Sequence, residues 1–233
     1  TAAYGQFLPT KFLEFPRFGA VNVHASLLPK YRGGAPIHYA IMNGDKETGV
    51  TIMRMVAKMD AGAIISQRAI SITGEDDVAS MFEKLSVVGA DLLIETLPAL
   101  FAGAIMEVEQ DEALVSFSPN ISREQEQINW NKTATEVDCF VRGLRPWPTS
   151  FTVLNGNRVK MWGVALTDKQ TAKVPGSLFV DGGRLYVACG GGTVLEITRL
   201  QPAGKAQMDA KAFINGFAEW MKNDAIFEGL NHE

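Results

Sequence analysis

The sequence predicts an α/β domain followed by a small antiparallel β domain, on three observations. A short strand, Ala20 to His24, leads through a loop rich in Pro, Gly and Arg into a helix that starts at Pro36. Apolar residues then recur at helical spacing from Val78 to about Phe101. Beyond Ser150, short apolar runs are divided by Asn-Gly, Asp-Gly and triple-Gly turns, the pattern of a small barrel or sandwich.

Each element has its own warrant. Thr1 to Gly5 reads as the end of a strand, so the chain is expected to lack an N-terminal portion, and Thr10 to Phe15 as a short helix stopped by Pro16. Pro36 suits the first turn of the next helix, because its missing N–H is an orphan there in any case, and Asn43-Gly44 ends it. Val50 to Val56 and Ala63 to Ile70 are rich in β-formers and predict a hairpin with a long loop. Asp76 or Asp77 caps the long helix, which Pro98 is expected to kink or end early. Residues 107–127 are polar and aperiodic and read as a linker between a domain at 1–106 and a second at 128–233, with one helical turn at Ser122 to Glu126. Thr133 to Leu144 has Val137, Phe140, Val141 and Leu144 on one face and ends at Arg145-Pro146-Trp147-Pro148. The strands follow, and Asp209 caps a last helix that buries Phe213, Phe217 and Trp220.

Composition narrows the class. The chain has 233 residues and is 46% hydrophobic, enough for one large or two ordinary cores. No apolar run approaches membrane-spanning length and no signal peptide is evident, so a soluble cytoplasmic protein is expected. The formal charge of -4 argues against binding nucleic acid by charge alone. It is uneven: residues 1–117 carry 9 Lys+Arg against 14 Asp+Glu (9 − 14 = −5), and residues 118–233 carry 13 against 12 (13 − 12 = +1). Cys139 and Cys189 sit in unrelated contexts and predict buried free thiols in a reducing compartment. The three histidines are too scattered for a metal site, and no metal is expected.

The strand at Ala20 to His24 carries the chemistry. Alternation sets Asn22 and His24 on one face, and polar groups on a covered strand cost a few kcal/mol each unless hydrogen-bonded. The pattern also fits a surface strand with one wet face. At the carboxyl end of a strand in an open α/β sheet, such a pair suits stabilisation of an oxyanion formed by attack on a carbonyl. No Ser or Cys follows as an evident nucleophile, so the nucleophile is expected to be a second substrate. Asp60, in KMDAGAII, is the best carboxylate to orient the imidazole and help move a proton, its plainer role being that of an Asp-x-Gly turn residue. Arg32-Gly33-Gly34 either presents amides to an anion or is a plain turn; Gly190-Gly191-Gly192 reads as a hairpin turn.

The string NVHASLLPKYRGGAPI, with TGVTIM and MDAGAII after it, resembles the folate-dependent formyltransferases. Ala61 stands where that family usually has Thr or Glu, and His38 where Gln is frequent. VRGLRPWPTSF and LQPAGKAQM resemble the C-terminal domain of the branch that acts on methionyl-tRNA. The resemblance implies the C-terminal part of a Rossmann-like formyltransferase domain followed by an OB-like β-barrel. It implies transfer of a formyl group from 10-formyltetrahydrofolate to the amino group of initiator methionyl-tRNA, by a monomer without a metal. Asn22, His24 and Asp60 would be catalytic, and Ser26, Leu27, Leu28 and Pro29 would line the folate site. Arg32, Arg142, Arg145 and Lys205 are candidate tRNA phosphate contacts, each also readable as a solvated cation, and Trp147 reads as a domain-packing knot. The family's opening strands, part of its folate pocket and the loop entering the tRNA acceptor end are not in this sequence.

Two rivals remain open on the sequence. One is a formyltransferase or formyl-folate hydrolase for another acceptor, such as glycinamide ribonucleotide or an amino sugar nucleotide. The other is a non-catalytic RNA-binding module, against which the intact set of Asn22, His24 and Asp60 argues, since a dead site has no reason to keep three costly polar groups.

Overall fold

A computed structural model describes residues 1–2, 8–222 and 225–229. The chain divides into two compact units, the first formed by Thr1–Ala40 and Asp45–Asn120, the second by Ile41–Gly44 and Ile121–Glu233.

In the first unit, helix α1 (Thr10–Glu14) precedes strand β1 (Val21–His24), and the Pro/Gly loop leads into helix α2 (Pro36–Met42), whose residues up to Ala40 belong to this unit. Strands β2 (Glu47–Arg54) and β3 (Ile64–Ser71) form the expected hairpin, and the sheet order is β1-β2-β3, antiparallel throughout. Register sets Asn22 opposite Met53 and His24 opposite Thr51. On the free edge of β1, Ala2 makes a parallel bridge to Val23; the rest of the expected opening strand lies outside the described residues.

Helix α3 (Val78–Phe101) covers the sheet with Met81, Leu85 and Leu92. A capping box starts it, Asp77 accepting from the Ser80 N–H while the Ser80 hydroxyl accepts from the Asp77 N–H. Asp76 lies beside it; burial opposes its charge, but bonds from Lys84, Thr73 and Ser80 outweigh that and hold the carboxyl below the usual carboxylate range. As the apolar spacing predicts, α3 reaches Phe101; the early end expected at Pro98 does not occur. The ring sits within one turn of the end, so a single helical bond is forfeited and packing carries the rest.

The second unit is built around an antiparallel sheet. Helix α4 (Ala134–Leu144) is capped by Thr133 and Glu136, and the Thr133 N–H and hydroxyl with Lys132 bring the Glu136 carboxyl down to about 2. Strands β4 (Phe151–Leu154), β5 (Asn157–Gln170), β6 (Leu178–Asp181), β7 (Arg184–Ala188) and β8 (Thr193–Pro202) run in the order β4-β5-β8-β7-β6, with β9 (Met208–Asp209) paired to β8. Among the described residues no strand closes this sheet into a barrel. Residues 225–229 instead bond at both ends of it, Glu228 to Val153 on β4 and Phe227 to Gly176 just before β6.

The core of this unit is apolar: Trp130, Val141, Leu154, Met161, Leu185, Ile197 and Phe213 are buried together, each large side chain gaining about 1.5–3 kcal/mol from leaving water. Helix α5 (Ala210–Gly216), capped by Asp209, buries Phe213; Phe217 and Trp220 pack against the same core from beyond the helix end. Gly190-Gly191-Gly192 is a turn between β7 and β8. Cys139 and Cys189 are buried and not joined in a disulfide, and burial pushes the Cys189 thiol up to about 12.

Candidate active site

The loop after β1 decides how the site is built. Ser26 is fully buried, its hydroxyl donating to the Lys30 carbonyl at 2.6 Å. The Thr51 hydroxyl on β2 donates to the Ser26 carbonyl at 2.7 Å and accepts from the Leu28 N–H at 3.1 Å. Gln67 on β3 donates to both the Leu28 carbonyl and the Thr51 hydroxyl at 2.8 Å. The loop from Ser26 to Leu28 is therefore fastened to the sheet by its backbone. Of the four residues expected at the folate site, Ser26 and Leu28 are buried in this scaffold, while Leu27 and Pro29 are partly exposed.

His24 is 6% exposed. Its Nε2 lies 2.9 Å from the Tyr31 carbonyl, which can only accept, so Nε2 carries a proton and Nδ1 is turned the other way. Nδ1 faces Asp60, whose Oδ2 is 3.8 Å away, too far for a hydrogen bond. The expected tautomer-holding role of Asp60 thus falls to the Tyr31 carbonyl. Asp60 Oδ2 accepts instead from the Gly33 N–H at 2.8 Å. The Arg32-Gly33-Gly34 loop does present an amide to an anion, and the anion is the protein's own carboxylate. Asn22 is partly exposed on the same face of β1, its side-chain oxygen accepting from the Thr1 hydroxyl at 2.7 Å.

Two glycines make this approach possible. A Cβ on Gly33, at φ +124°, would meet the Ser118 carbonyl at 2.6 Å, and one on Gly62 would meet the Arg54 carbonyl at 2.0 Å.

Arg32 is fully buried. Its Nε and Nη2 donate to Gln110 Oε1 at 3.0 and 2.8 Å, and Nη2 also reaches Glu112 Oε1 at 2.9 Å. Arg32, with Lys58, holds the Glu112 carboxyl below its ordinary range. Arg32 is thus an interior strut, and its side chain is not presented to a phosphate, contrary to expectation.

Segment 107–118 is no free connector: Val108 bridges Ile64, and the Arg32 N–H donates to the Ser116 carbonyl while the Ser118 N–H donates to that of Arg32. Periodicity does not reveal this, because the strap contributes polar groups rather than an apolar face.

The other basic candidates lie in the second unit. Arg142 donates to Asp138 at 2.8 Å on α4 and is mostly buried, Arg145 donates to the Trp162 carbonyl at 3.2 Å, and Lys205 is exposed. Trp147 is 72% exposed. It lines an open depression of about 450 Å³ with Arg123, Arg158 and Lys160, none of which the sequence singles out. Among the described residues, no group of His, Cys, Asp and Glu is placed to hold a metal, and no helix is long and apolar enough to cross a membrane.

A polar pair on β1, an imidazole turned toward a carboxylate and a backbone-fastened loop together form an arrangement able to stabilise an oxyanion and move a proton. Residues 1–97 match the formyl transferase family and residues 120–218 match its C-terminal domain. The chain belongs to the formyl transferase family. Within it, the chain is 59% identical over 220 residues to a methionyl-tRNA formyltransferase of Enterococcus faecalis, covering 94% of this chain and 70% of that protein. It is 56% identical over 217 residues to that of Levilactobacillus brevis, covering 93% and 69%. Among solved structures, an N-formyltransferase from Helicobacter canadensis, in complex with folinic acid and dTDP-3-aminofucose, superposes with a TM-score of 0.63 at 20% identity, covering 76% of this chain and 65% of that one. That likeness bears on the fold.

Proposed function

We propose that the natural protein to which this chain belongs formylates the amino group of initiator methionyl-tRNA with 10-formyltetrahydrofolate as donor, acting as a cytoplasmic monomer. The observation that carries the reading is the set of Asn22, His24 and Asp60 at one site, in a chain 59% identical to a methionyl-tRNA formyltransferase. The folinic acid bound by the Helicobacter canadensis N-formyltransferase further supports a folate donor.

The chemistry follows from the geometry. The amine nitrogen bonds to the formyl carbon, the bond from that carbon to the folate nitrogen breaks, and the proton lost by the amine ends on the folate nitrogen. As charge builds on the formyl oxygen, the Asn22 amide donates to it. His24, with Nε2 committed to the Tyr31 carbonyl, works through Nδ1: unprotonated it accepts the amine proton, protonated it donates to the oxygen. Asp60 supplies a negative charge 3.8 Å from Nδ1 and assists the proton's passage. Leu27 and Pro29, on the fastened loop, shape the folate side. The sheet of the second unit, proposed as OB-like, holds the tRNA, with Lys205 on its exposed surface.

In the natural protein, His24→Ala or Asp60→Asn is expected to lower single-turnover formylation by about 10²- to 10⁴-fold, the range for a positioned acid or base, with tRNA affinity within about twofold. Formylation by His24→Ala at the wild-type rate would overturn the mechanism. Parallel assays with glycinamide ribonucleotide and an amino sugar nucleotide would overturn the acceptor assignment if either outpaced charged tRNA.

A further inference from the structure

Gln110 lies in the segment that the sequence marks as linker, yet it is 8% exposed and all its side-chain bonds point inward. Oε1 accepts from Nε and Nη2 of the buried Arg32, at 3.0 and 2.8 Å. Nε2 donates to the Asp60 and Gly62 carbonyls, both at 2.8 Å. The amide has one orientation that fits: a guanidinium only donates and a carbonyl only accepts, so a flipped Gln110 would set like against like at four contacts. Asp60 itself sits at φ +51°, in the left-handed region that residues with a side chain occupy uncommonly. Gln110 grips that residue by its own carbonyl and by that of Gly62, two residues on, while Arg32, gripped from the other side, precedes the Gly33 amide that bonds the Asp60 carboxylate.

We infer that Gln110 is a positioning residue for the proposed transfer: with Arg32 it ties the Asp60 loop to the loop after β1 and so sets the carboxylate relative to His24. The inference rests on the catalytic reading of Asp60. Gln110 touches neither the amine nor the formyl group; its effect passes through Asp60. The strap adds to the sheet: pairing of β1 with β2 brings the Asp60 loop near His24, and Gln110 bonds the backbone of that loop directly.

The test is a double-mutant cycle in the natural protein. Gln110→Glu keeps the acceptor for Arg32 but turns a carboxylate toward the two carbonyls; Gln110→Met removes both sets of bonds and serves as the second variant if the first does not fold. Each is expected to lower single-turnover formylation at least about tenfold, with KM for the folate donor and tRNA affinity within about twofold. The same substitution in an Asp60→Asn background is expected to cost less than about twofold more. An unchanged rate, or the same fractional loss in both backgrounds, would overturn the positioning role, since a merely structural lesion would not depend on Asp60. A wild-type rate for Asp60→Asn alone would overturn the catalytic reading beneath it, a result separable from failure of the cycle.

Discussion

The interior beside β1 and the interior of the second unit are held by different forces. Around Thr51, Gln67, Gln110, Arg32 and Ser118 the first unit buries hydrogen-bonding groups, nearly all of them answered, and uses them to fasten two loops at a defined spacing. The second unit buries Trp130, Met161, Leu185, Ile197, Phe213 and their neighbours and keeps most of its charged groups outward. Apolar contact is non-directional and scales with area, so it stabilises without fixing a loop to within tenths of an ångström. Hydrogen bonds contribute little net stability each but are costly to leave unmade, which suits them to setting a geometry.

That contrast can be broken at three points. Phe213→Ala removes a fully buried ring from the second core and is expected to cost about 3–5 kcal/mol, read from the denaturation of that unit. A cost below about 1 kcal/mol would mean that this core is not sustained by packing. Thr51→Val preserves volume but strips one hydroxyl of its bonds to Ser26, Leu28 and Gln67; about 1–3 kcal/mol is expected, with a rise in KM for the folate donor. Silence there would show that the first unit, too, is held by shape alone. The smallest effect concerns the surface: if Lys205 meets a phosphate, Lys205→Ala should weaken tRNA binding modestly and lower the salt slope by about one. An unchanged slope removes Lys205 from the footprint.

Much of the fold is legible in the sequence because its signals are local. The Asp77 cap and the spacing of Met81, Leu85 and Leu92 announce α3, and Asn155-Gly156 and Asp181-Gly182 announce hairpins, since caps and turns are decided by residues a few positions apart. The apolar spacing places the end of α3 near Phe101, whereas Pro98 suggests an earlier stop that does not occur, because proline's local cost is outweighed by packing at a distance. Asn22 and His24 stand out as polar groups on a strand where burial makes polarity expensive, Asp60 reads equally as a turn residue, and the motif around all three points to the family. Arg32 misleads for the complementary reason: an arginine in a glycine-rich loop has the look of a phosphate ligand, and nothing within the loop tells that its guanidinium turns inward to a glutamine 78 residues later.

The sequence by itself determined the order of elements, the polar pair on β1, the caps and turns, and membership of a family, because these depend on neighbours along the chain or on strings of residues specific enough to recognise. Only the tertiary structure decided that the Tyr31 carbonyl rather than Asp60 sets the His24 tautomer, that the Gly33 amide answers the Asp60 carboxylate, and that Gln110 holds both loops. Those bonds join groups with no shared periodicity, made when segments distant in sequence are buried together and each donor must find an acceptor; that pairing becomes visible only in three dimensions.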